Sequence, residues 1–340
     1  MKIWFDADNG PHVLIMRPLA EELRRRGHQV VFTARDRTST CELLDLYGLE
    51  YHKVGGAYRA GFSGKVAGTL GRALALCRAG RGLGADVSFG HGSRSLPIAS
   101  RLLGVPSVTM YDYEWVDPRL FNLFCRRILL PRAIDRERAA AAGLAVDKVV
   151  FYDGLKEELY VAGRGRDRTV EQELGLREDS IRVLLRPPAT TAHYHNPESE
   201  LLLAELLRVL GARPDVQMVF MPRGPEQMVF IPADFRGQVI VPDKVYDGPS
   251  LIAAMDLVIS GGGTMTREAA VLGVASYSFF RGREGRVDEW LEQAGHLVML
   301  RSVGEITEKL VLAQKPTESR YAVNSGLVGQ VADAILAAAR

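Results

Sequence analysis

The sequence predicts an α/β protein made of two doubly wound, Rossmann-like domains that face each other across a cleft. Short apolar segments alternate with segments of helical apolar spacing along the 340 residues, which is typical of strands joined by crossover helices. Several helical segments end at a glycine, as at Gly27, Gly48 and Gly104, a common helix stop. One polar, glycine-containing stretch over 154–168 interrupts the alternation and separates the two domains.

In the first domain, residues 1–155, repeated β-α units imply a parallel sheet covered by helices on both faces. Apolar residues with helical spacing run from Ile15 to Leu23. Pro18 predicts either a kink in this helix or a late start, which would leave His12 in an extended loop. The predicted strands are Lys2–Asp6, Val30–Phe32, Leu49–Val54, Asp86–Phe89 and Ser107–Met110. The predicted helices are Leu14–Arg26, Cys41–Tyr47, Val66–Ala79, Leu96–Leu103 and Asp117–Arg127. Residues 126–150 show two short apolar runs around an alanine-rich segment.

The second domain, residues 156–325, repeats the architecture of the first without repeating its sequence. Its predicted strands are Ile181–Leu185, Val216–Met221, Gln238–Val241, Leu257–Ile259, Ala275–Phe279 and His296–Leu300. Its predicted helices are Ser199–Leu210, Ser250–Ala254, Met265–Leu272, Val287–Ala294 and Val303–Leu312. A last helix within residues 326–340 is expected to pack back on the first domain. Because ligands bind at the carboxyl ends of strands in such sheets, we look for the site in the strand-end loops.

Composition and charge exclude several classes of protein. The chain is 47% hydrophobic and 25% charged, and its formal net charge of +2 gives no electrostatic reason to expect a nucleic-acid partner,. The cysteines, Cys41, Cys77 and Cys125, show no CxxC spacing, so neither a disulfide framework nor a zinc ribbon is expected,. The sequence has neither the apolar stretch of a secretory signal nor a window of about 18 apolar residues. We therefore expect a soluble, cytoplasmic protein that uses no cofactor.

The strongest motif joins a predicted strand to a predicted helix through Gly261, Gly262 and Gly263, followed by Thr264. Glycines allow backbone N–H groups to approach a ligand, and a helix N-terminus contributes roughly half a positive charge. The motif therefore predicts a phosphate or diphosphate site, with Glu268 one turn into the helix and facing a ribose. The alternative is a tight turn without a ligand. The spacing matches neither GxGxxG nor GxxxxGK[ST], which disfavours a nicotinamide fingerprint and a P-loop.

This part of the chain also carries a resemblance to known proteins. The segment SGGGTMTREAA, followed by SYSFF and GREGRVDEWL, resembles the GT-B superfamily, which includes the peptidoglycan N-acetylglucosaminyltransferase and the UDP-N-acetylglucosamine 2-epimerases. Over nearly its full length the chain resembles a prokaryotic family named domain of unknown function 354, on WFDADNGPHV, GHQVVFTARD, RPPATTAHYH and GGGTMTREAA. The resemblance implies a substrate that is a nucleotide-diphosphate sugar of the UDP type. It implies that Gly261, Gly262, Gly263 and Thr264 hold the diphosphate and that Glu268 contacts the ribose.

The loop after the first strand supplies the first candidate for catalysis. His12 is a candidate general base, because a near-neutral imidazole can take a proton from an acceptor hydroxyl. Asn9 and Gly10, just before it, are expected to line the acceptor or sugar site, and in GT-B relatives the matching loop lies beside the reacting sugar. The alternative is a plain Asn-Gly-Pro turn with His12 as a cap.

The same loop contains a DxD motif, Asp6 and Asp8, which raises two metal-dependent alternatives. One resembles the nucleophile motif of haloacid-dehalogenase phosphatases, but the late acid pair that holds magnesium in those enzymes is missing here. The other is the metal-binding DxD of the other glycosyltransferase fold, whose architecture differs. We therefore expect no metal site.

Two further strand-end loops of the first domain are expected at the site. His91 and Ser93 lie in a glycine-containing loop that could bind an anion or a sugar hydroxyl, or only cap the next helix. Asp112 and Glu114 alternate with aromatic residues, a combination that suits carbohydrate, and their position resembles an acid-bearing loop of the 2-epimerases. These two acids are our second candidates for acid–base catalysis, against a structural role.

Strand-end loops of the second domain add candidates for ligand binding. Arg186 could offset the charge of a diphosphate, and Arg283 lies in a region that approaches the donor in GT-B proteins. His193 and His195 look like a metal pair, but they would point apart on an extended segment and have no third ligand,. The 2-epimerases carry a histidine in the corresponding loop, in a different motif.

Three functions fit these observations. The favoured one is a metal-independent GT-B glycosyltransferase that transfers a sugar from a nucleotide-diphosphate sugar to a hydroxyl acceptor, with His12 or Glu114 as the base. The second is a nucleotide-sugar 2-epimerase or hydrolase with the same pocket, although the HRREN-like motif of the epimerases is absent. The third is a non-catalytic nucleotide-sugar-binding protein, which would lose nothing when His12 and Glu114 are replaced. The acceptor, the oligomeric state and any peripheral contact with a membrane stay open.

Overall fold

The computed structural model describes residues 1–37, 39–56, 62–166, 168–189, 196–235, 238–244, 246–315 and 321–339. The chain divides into two compact units. Unit 1 comprises Met1–Tyr160 and Asn324–Arg340, and unit 2 comprises Val161–Val323. The C-terminal helix, which we expected to pack back on the first domain, lies in unit 1.

Unit 1 is built from β-α units. Its strands are β1 (Lys2–Ala7), β2 (Gln29–Ala34), β3 (Tyr51–Lys53), β4 (Val87–His91), β5 (Ser107–Met110), β6 (Arg127–Pro131) and β7 (Val149–Tyr152). Its helices are α1 (Gly10–Arg25), α2 (Thr40–Leu46), α3 (Phe62–Gly80), α4 (Ser95–Leu103), α5 (Arg119–Phe124) and α6 (Arg136–Ala141), and α7 (Glu158–Val161) leads out of the unit. Over the described residues the strands form one parallel sheet in the order β3-β2-β1-β4-β5-β6-β7. Right-handed crossovers place α1 and α2 on one face and α3, α4 and α5 on the other.

The central strand β1 is buried on both faces, as its continuous apolar run requires. On one face Phe5 packs against Phe32 and Phe89, with ring centroids 5.5 Å and 5.1 Å apart. On the other face the indole Nε1 of Trp4 donates to Thr33 Oγ1 at 2.9 Å. This core holds the carboxyl end of β1 rigidly, and that end carries the first candidate loop.

Helix α1 differs from the prediction because it begins at Gly10 rather than at Leu14. Asn9 is its N-cap, and the side chain accepts from the Gly10 N–H at 3.1 Å, while Pro11 occupies the first turn, where its missing N–H costs nothing. His12 therefore lies in the first turn of a helix and not in an extended loop. Pro18 is accommodated inside the helix.

The region after β5 also differs from the prediction. The helix predicted to Arg127 ends at Phe124, and Arg127 already begins β6. The two apolar runs between 126 and 150 are strands of the same sheet, since β6 pairs in parallel with both β5 and β7. Short strands of four or five residues give little periodicity, which is why the sequence did not show them clearly.

Unit 2 repeats the architecture on a second parallel sheet. Its strands are β8 (Ile181–Arg186), β9 (Val216–Phe220), β10 (Val239–Ile240), β11 (Leu257–Ser260), β12 (Ala275–Ser278) and β13 (Val298–Met299). Its helices are α8 (Arg168–Glu173), α9 (Glu198–Gly211), α10 (Gly248–Ala253), α11 (Gly263–Val271), α12 (Arg286–Gln293) and α13 (Val303–Lys309). The strand order over the described residues is β10-β9-β8-β11-β12-β13. The chain then returns to unit 1 with α14 (Leu327–Ala337), which packs on α1.

In each sheet the strand order reverses once, between β1 and β4 in unit 1 and between β8 and β11 in unit 2. At such a switch point the following helices leave to opposite faces, so the two strand-end loops diverge and leave a crevice. Most candidate loops follow these four strands, whereas Asp112 and Glu114 follow β5 and Arg283 follows β12. Among the described residues, no helix combines the length and the apolar character needed to cross a membrane.

Candidate functional site

Asp6, near the end of β1, is the buried anchor of the unit 1 switch point. Arg72 of α3 donates to both carboxylate oxygens at 2.8 Å, and the hydroxyls of Thr33 and Ser93 donate to them at 2.8 Å and 2.9 Å. A carboxylate has room for about four hydrogen bonds, so this one is saturated. The first acid of the DxD motif is therefore structural, which disfavours the phosphatase alternative.

Asp8, the second acid of the motif, is more accessible and has a different environment. Its carboxylate accepts from Arg35 Nη1 at 3.2 Å, and Arg72 Nη1 lies 3.5 Å away. Burial raises the pKa of Asp8, and the charge of Asp6 adds to this effect, while the two arginines oppose it. Asp8 is thus held by arginines rather than presented to a metal.

His12 is held as a neutral imidazole. The backbone N–H of Asp8 donates to His12 Nδ1 at 3.2 Å, so the ring proton is assigned to Nε2. Burial lowers the pKa of His12 well below its usual 6.5, and His91, Lys156 and Arg72 lower it further. A ring that carries its proton on Nε2 donates there and accepts no proton. The geometry therefore fits a hydrogen-bond donor better than the base that we predicted.

A buried group of charged side chains adjoins His12. The rings of His12 and His91 lie 4.9 Å apart, and His91 Nε2 is 4.0 Å from Asp112 Oδ1. Lys156 donates from Nζ to Asp112 Oδ2 at 2.5 Å and also to Glu157. We call these five residues the acid–base cluster. Because a carboxylate beside an imidazole stabilises an imidazolium, His91 with Asp112 is the candidate pair for acid–base chemistry in unit 1.

Sequence reasoning missed Lys156 and Glu157. Both follow β7, a strand of the same sheet, and both are nearly inaccessible to solvent. The signal that could have located them was Asp153-Gly154, which directly follows an apolar run and marks the end of a strand. We assigned the stretch that begins at Gly154 to the region between the two domains. A charged pair at a strand end would have been a candidate had β7 been recognised as a strand.

Glu114, the other acid predicted for catalysis, has a structural partner. Its side chain is fully buried, and Arg138 donates from Nε to Oε1 at 2.9 Å. The guanidinium of Arg138 also lies over the Trp115 ring, 4.6 Å from the centroid. This arrangement ties the loop after β5 to α6, which is the structural alternative.

Three other candidates of unit 1 have structural partners. Asn9 caps α1, and Gly10 is buried where a Cβ would lie 2.9 Å from Ser39 Oγ. Ser93 is buried and donates to Asp6. These contacts favour the alternatives of a helix-starting turn and a capping loop over direct contact with a sugar.

The glycine turn of unit 2 lies at its switch point. Gly262 is the N-cap of α11, and no side chain of the described residues caps this helix. Gly262, Gly263 and Thr264 are partly exposed to solvent. An uncapped and accessible helix N-terminus is a ready site for an anion.

Each of the three positions in the turn favours glycine for a different physical reason. A Cβ on Gly261 would lie 2.8 Å from the Pro188 Cα, so the loops after β8 and β11 touch backbone to backbone. A Cβ on Gly262 would lie 2.8 Å from Arg223 Nη2, and one on Gly263 would lie 3.3 Å from an Arg267 nitrogen. The second and third glycines therefore leave room for guanidinium groups at the start of α11.

Two arginines give this turn a positive environment. Burial and the nearby charge of Arg223 together lower the pKa of Arg186 to about 10, while the charge of Glu268 opposes them. Arg223, which the sequence analysis missed, follows β9 and donates from Nε to the Pro187 carbonyl at 3.3 Å. Two crowded cations at a helix N-terminus suit an anion with more than one charge.

The remaining candidates of unit 2 are placed as follows. Glu268 is buried close to Arg186, and its contact with a ribose stays a prediction. Arg283 is exposed, and its contact with phosphate stays a prediction. His193 and His195 lie outside the described residues.

Two parallel sheets, each with candidate residues at its switch point, place the chain in the GT-B class of fold. The chain belongs to the family described as Protein of unknown function (DUF354), whose profile matches residues 1–336. It is 24% identical over 314 residues to the Uncharacterized protein MJ0665 of Methanocaldococcus jannaschii, which covers 90% of this chain and 89% of that protein.

Solved structures with a similar fold include two UDP-GlcNAc 2-epimerases and a MurG protein. The UDP-GlcNAc 2-epimerase of Neisseria meningitidis bound to UDP-GlcNAc is 14% identical, with a TM-score of 0.75 over 99% of this chain and 100% of that one. The Methanocaldococcus jannaschii UDP-GlcNAc 2-epimerase in complex with UDP-GlcNAc and UDP is 11% identical, with a TM-score of 0.72 over 99% of each chain. MurG of Acinetobacter baumannii is 15% identical, with a TM-score of 0.54 over 99% of each chain. At such identities the similarity establishes the fold alone.

Proposed function

We propose that the protein is an enzyme that binds a nucleotide-diphosphate sugar and transfers the sugar to a hydroxyl acceptor. The observation that carries the proposal is the open glycine turn of unit 2, where the N-terminus of α11 meets Arg186 and Arg223. A helix N-terminus and two guanidinium groups suit a diphosphate better than a neutral ligand. Neighbours of the same fold that were solved with UDP-GlcNAc or UDP support this assignment.

The acid–base cluster of unit 1 would supply the groups for transfer. The acceptor hydroxyl gives its proton to His91 while its oxygen forms a bond to C1 of the sugar, and Asp112 stabilises the resulting imidazolium. The bond between C1 and the diphosphate oxygen breaks, and its electron pair leaves with the diphosphate. The N–H groups of α11 with Arg186 and Arg223 stabilise that leaving group. His12 donates from Nε2 to a substrate oxygen.

A 2-epimerase or hydrolase is the second candidate, and one observation favours it. Asp112 and Glu157 both accept from Lys156 in the buried cluster, and elimination followed by re-addition needs an acid and a base placed close together. The same binding half-site would serve this reaction.

A thermal-shift panel tests the binding half of the proposal. The diphosphates of uridine, guanosine, thymidine and cytidine, and their sugars, are compared, because a bound ligand raises the melting temperature by mass action. We expect one base to be selected, and we expect Arg223→Gln and Glu268→Ala to weaken its binding. Arg213→Gln, which changes an exposed arginine paired with Asp215, is the matched control. No shift with any nucleotide, or equal binding by Arg223→Gln, would refute the proposal.

Product analysis then separates the reactions. A sugar nucleotide that is stable alone and consumed with an acceptor identifies a transferase. A change of configuration without an acceptor identifies an epimerase, and release of free sugar identifies a hydrolase. We expect His91→Gln to bind the nucleotide normally and to lose turnover. Binding without turnover in the wild-type protein would identify the non-catalytic alternative.

A further inference from the structure

Unit 1 exposes large apolar side chains on the helices of one sheet face. Val66, Leu70 and Leu74 follow one another at intervals of four residues along α3, so they share one stripe of that helix,. Leu102 of α4 and Leu123 of α5 are exposed as well, and the exposures of these five side chains range from 45% to 69%. We call this set the α3–α5 face. Single exposed leucines are ordinary, whereas a row of them across packed neighbouring helices marks an interaction surface.

The three helices form one continuous layer. Helix α4 packs on α3 and α5 packs on α4. At the far end of α3, a Cβ on Gly80 would lie 2.7 Å from the Leu103 side chain of α4. Leu123 and Arg101 line one shallow groove between α4 and α5. The apolar residues therefore belong to one side of the unit rather than to separate sides.

The charge around this face is strongly one-sided. Residues 62–127 contain nine basic and four acidic residues. Two of the acids, Asp112 and Glu114, are buried at the strand ends, and a third, Asp117, is paired with Arg119 at 2.7 Å. Arg72 is likewise buried against Asp6, whereas the other arginines of this stretch include exposed ones, among them Arg78, Arg81, Arg94, Arg101 and Arg126.

Exposed leucines and exposed arginines in the same stretch of chain match an anionic lipid surface. The leucines can enter the acyl boundary while the guanidinium groups remain at the level of the headgroups, and each basic residue near an anionic leaflet adds to the attraction. A second copy of the chain is a poorer occupant, because a two-fold contact would bring the same arginines of both copies together.

We propose that the α3–α5 face docks unit 1 on the surface of a membrane that contains anionic phospholipids. The proposal is independent of the proposed function, since it uses neither the glycine turn nor the acid–base cluster. An enzyme held in this way would meet acceptors that are themselves in the membrane.

Co-sedimentation with vesicles tests the proposal on the full chain. Vesicles of phosphatidylcholine alone are compared with vesicles of phosphatidylcholine and phosphatidylglycerol. We expect binding only to the anionic vesicles, and we expect added salt to weaken it because screening reduces the attraction. The double variant Leu70→Ser/Leu74→Ser should reduce the partition coefficient by about tenfold or more, and Arg78→Gln/Arg81→Gln should reduce it too.

The control is Leu201→Ser, which changes an exposed leucine of unit 2 and should bind like the wild type. Melting curves confirm that the variants are folded. Absence of binding to anionic vesicles, or unchanged binding of the Leu70→Ser/Leu74→Ser variant, would overturn the proposal. A dimer in solution that this variant abolishes would assign the face to a second copy and also overturn it. No nucleotide sugar enters the experiment, so its failure leaves the proposed function untouched.

Discussion

Residues that look equivalent in the sequence have different roles because their surroundings differ. Asp6 and Asp8 stand two positions apart in one motif, yet Asp6 is saturated by Arg72, Thr33 and Ser93, whereas Asp8 keeps partial exposure and a raised pKa. Removing one partner of such a buried ion pair costs about 3–5 kcal/mol, since it leaves an uncompensated charge. At this scale, burial and partners decide the chemistry of a side chain.

The neutral state of His12 makes stability depend on pH. Because burial lowers its pKa in the folded protein, below about pH 6.5 the unfolded chain binds a proton at His12 that the folded chain does not. The free energy of unfolding should therefore fall as the pH drops through this range. In His12→Asn, whose Oδ1 still accepts from the Asp8 N–H, the fall should be smaller. Urea unfolding at about pH 7.5 and about pH 5.5 measures this fall in the free energy of unfolding. The control is His52→Asn, which changes an exposed histidine. Equal falls in the wild type, His12→Asn and His52→Asn would contradict the prediction.

Replacing Arg186 should weaken diphosphate binding without lowering the free energy of unfolding. Its lowered pKa means that the folded protein disfavours the charged side chain, so at neutral pH Arg186→Gln should unfold no more easily than the wild type in the absence of ligand. Diphosphate binding should weaken by about tenfold or more, because a charge-assisted contact is lost. Urea unfolding and calorimetry with the selected nucleotide measure the two effects. A destabilised variant with unchanged affinity would show that the role is structural.

At the scale of elements, the positions of the candidate residues are fixed by where the strands end and where the next helices begin. In both units a strand that reaches its carboxyl end at the switch point is followed by a helix that begins after two or three residues, as between Ala7 and Gly10 or between Ser260 and Gly263. So short a connection leaves a turn little freedom, and close packing then selects glycine at particular positions. The glycine turn of unit 2 allows this reasoning to be tested.

Gly261→Ala and Gly262→Ala should have opposite effects. A Cβ at position 261 meets the Pro188 backbone at 2.8 Å, so we expect a loss of about 1–3 kcal/mol of unfolding free energy. At position 262 the backbone is extended and the Cβ meets only the end of the Arg223 side chain. That variant should remain nearly as stable and should bind nucleotide diphosphate less tightly. Denaturant unfolding and calorimetry on both variants check this, and equal destabilisation would contradict the account.

At the scale of the whole molecule, unit 1 is assembled from two distant parts of the chain. Glu158 accepts from the Leu155 N–H and from the Asn324 N–H, both at 2.7 Å, and Asn324 donates to the Asp153 carbonyl at 2.7 Å. One buried carboxylate thus fixes the segment that leaves unit 1 and the segment that returns to it. The outgoing segment also carries Lys156 of the acid–base cluster.

Glu158→Ala should therefore destabilise unit 1 strongly. It leaves two N–H groups without their acceptor, at about 1–3 kcal/mol for each group that stays buried and unsatisfied. Glu158→Gln keeps one acceptor oxygen and should lose less. Denaturant unfolding of the two variants gives the comparison, with Glu308→Ala on the surface of α13 as the control. Equal stability of Glu158→Ala and the wild type would show that other contacts hold the returning segment.

How much of the fold and the site could be predicted from the sequence depends on how far apart in the chain the interacting residues lie. The α/β class and most strands and helices were confirmed, because apolar periodicity is local. The glycine turn was found because its residues are consecutive. Lys156 and Arg223 were missed, since each reaches its half-site only through the position of β7 or β9 in its sheet. Glu114 was expected at the site on local composition, while its actual partner, Arg138, lies on another helix.

The sequence by itself determined the two α/β halves, the helix stops and the turn that opens α11, because these depend on residues close together in the chain. Only the tertiary structure decided that Asp6 is saturated, that His12 is buried with Nδ1 accepting from the Asp8 N–H, that Lys156 joins Asp112, and that α14 completes unit 1. The physical reason is that protonation, burial and hydrogen-bond partners are set by neighbours in space. Strand order, which brings β1 next to β4 and β8 next to β11, chooses those neighbours.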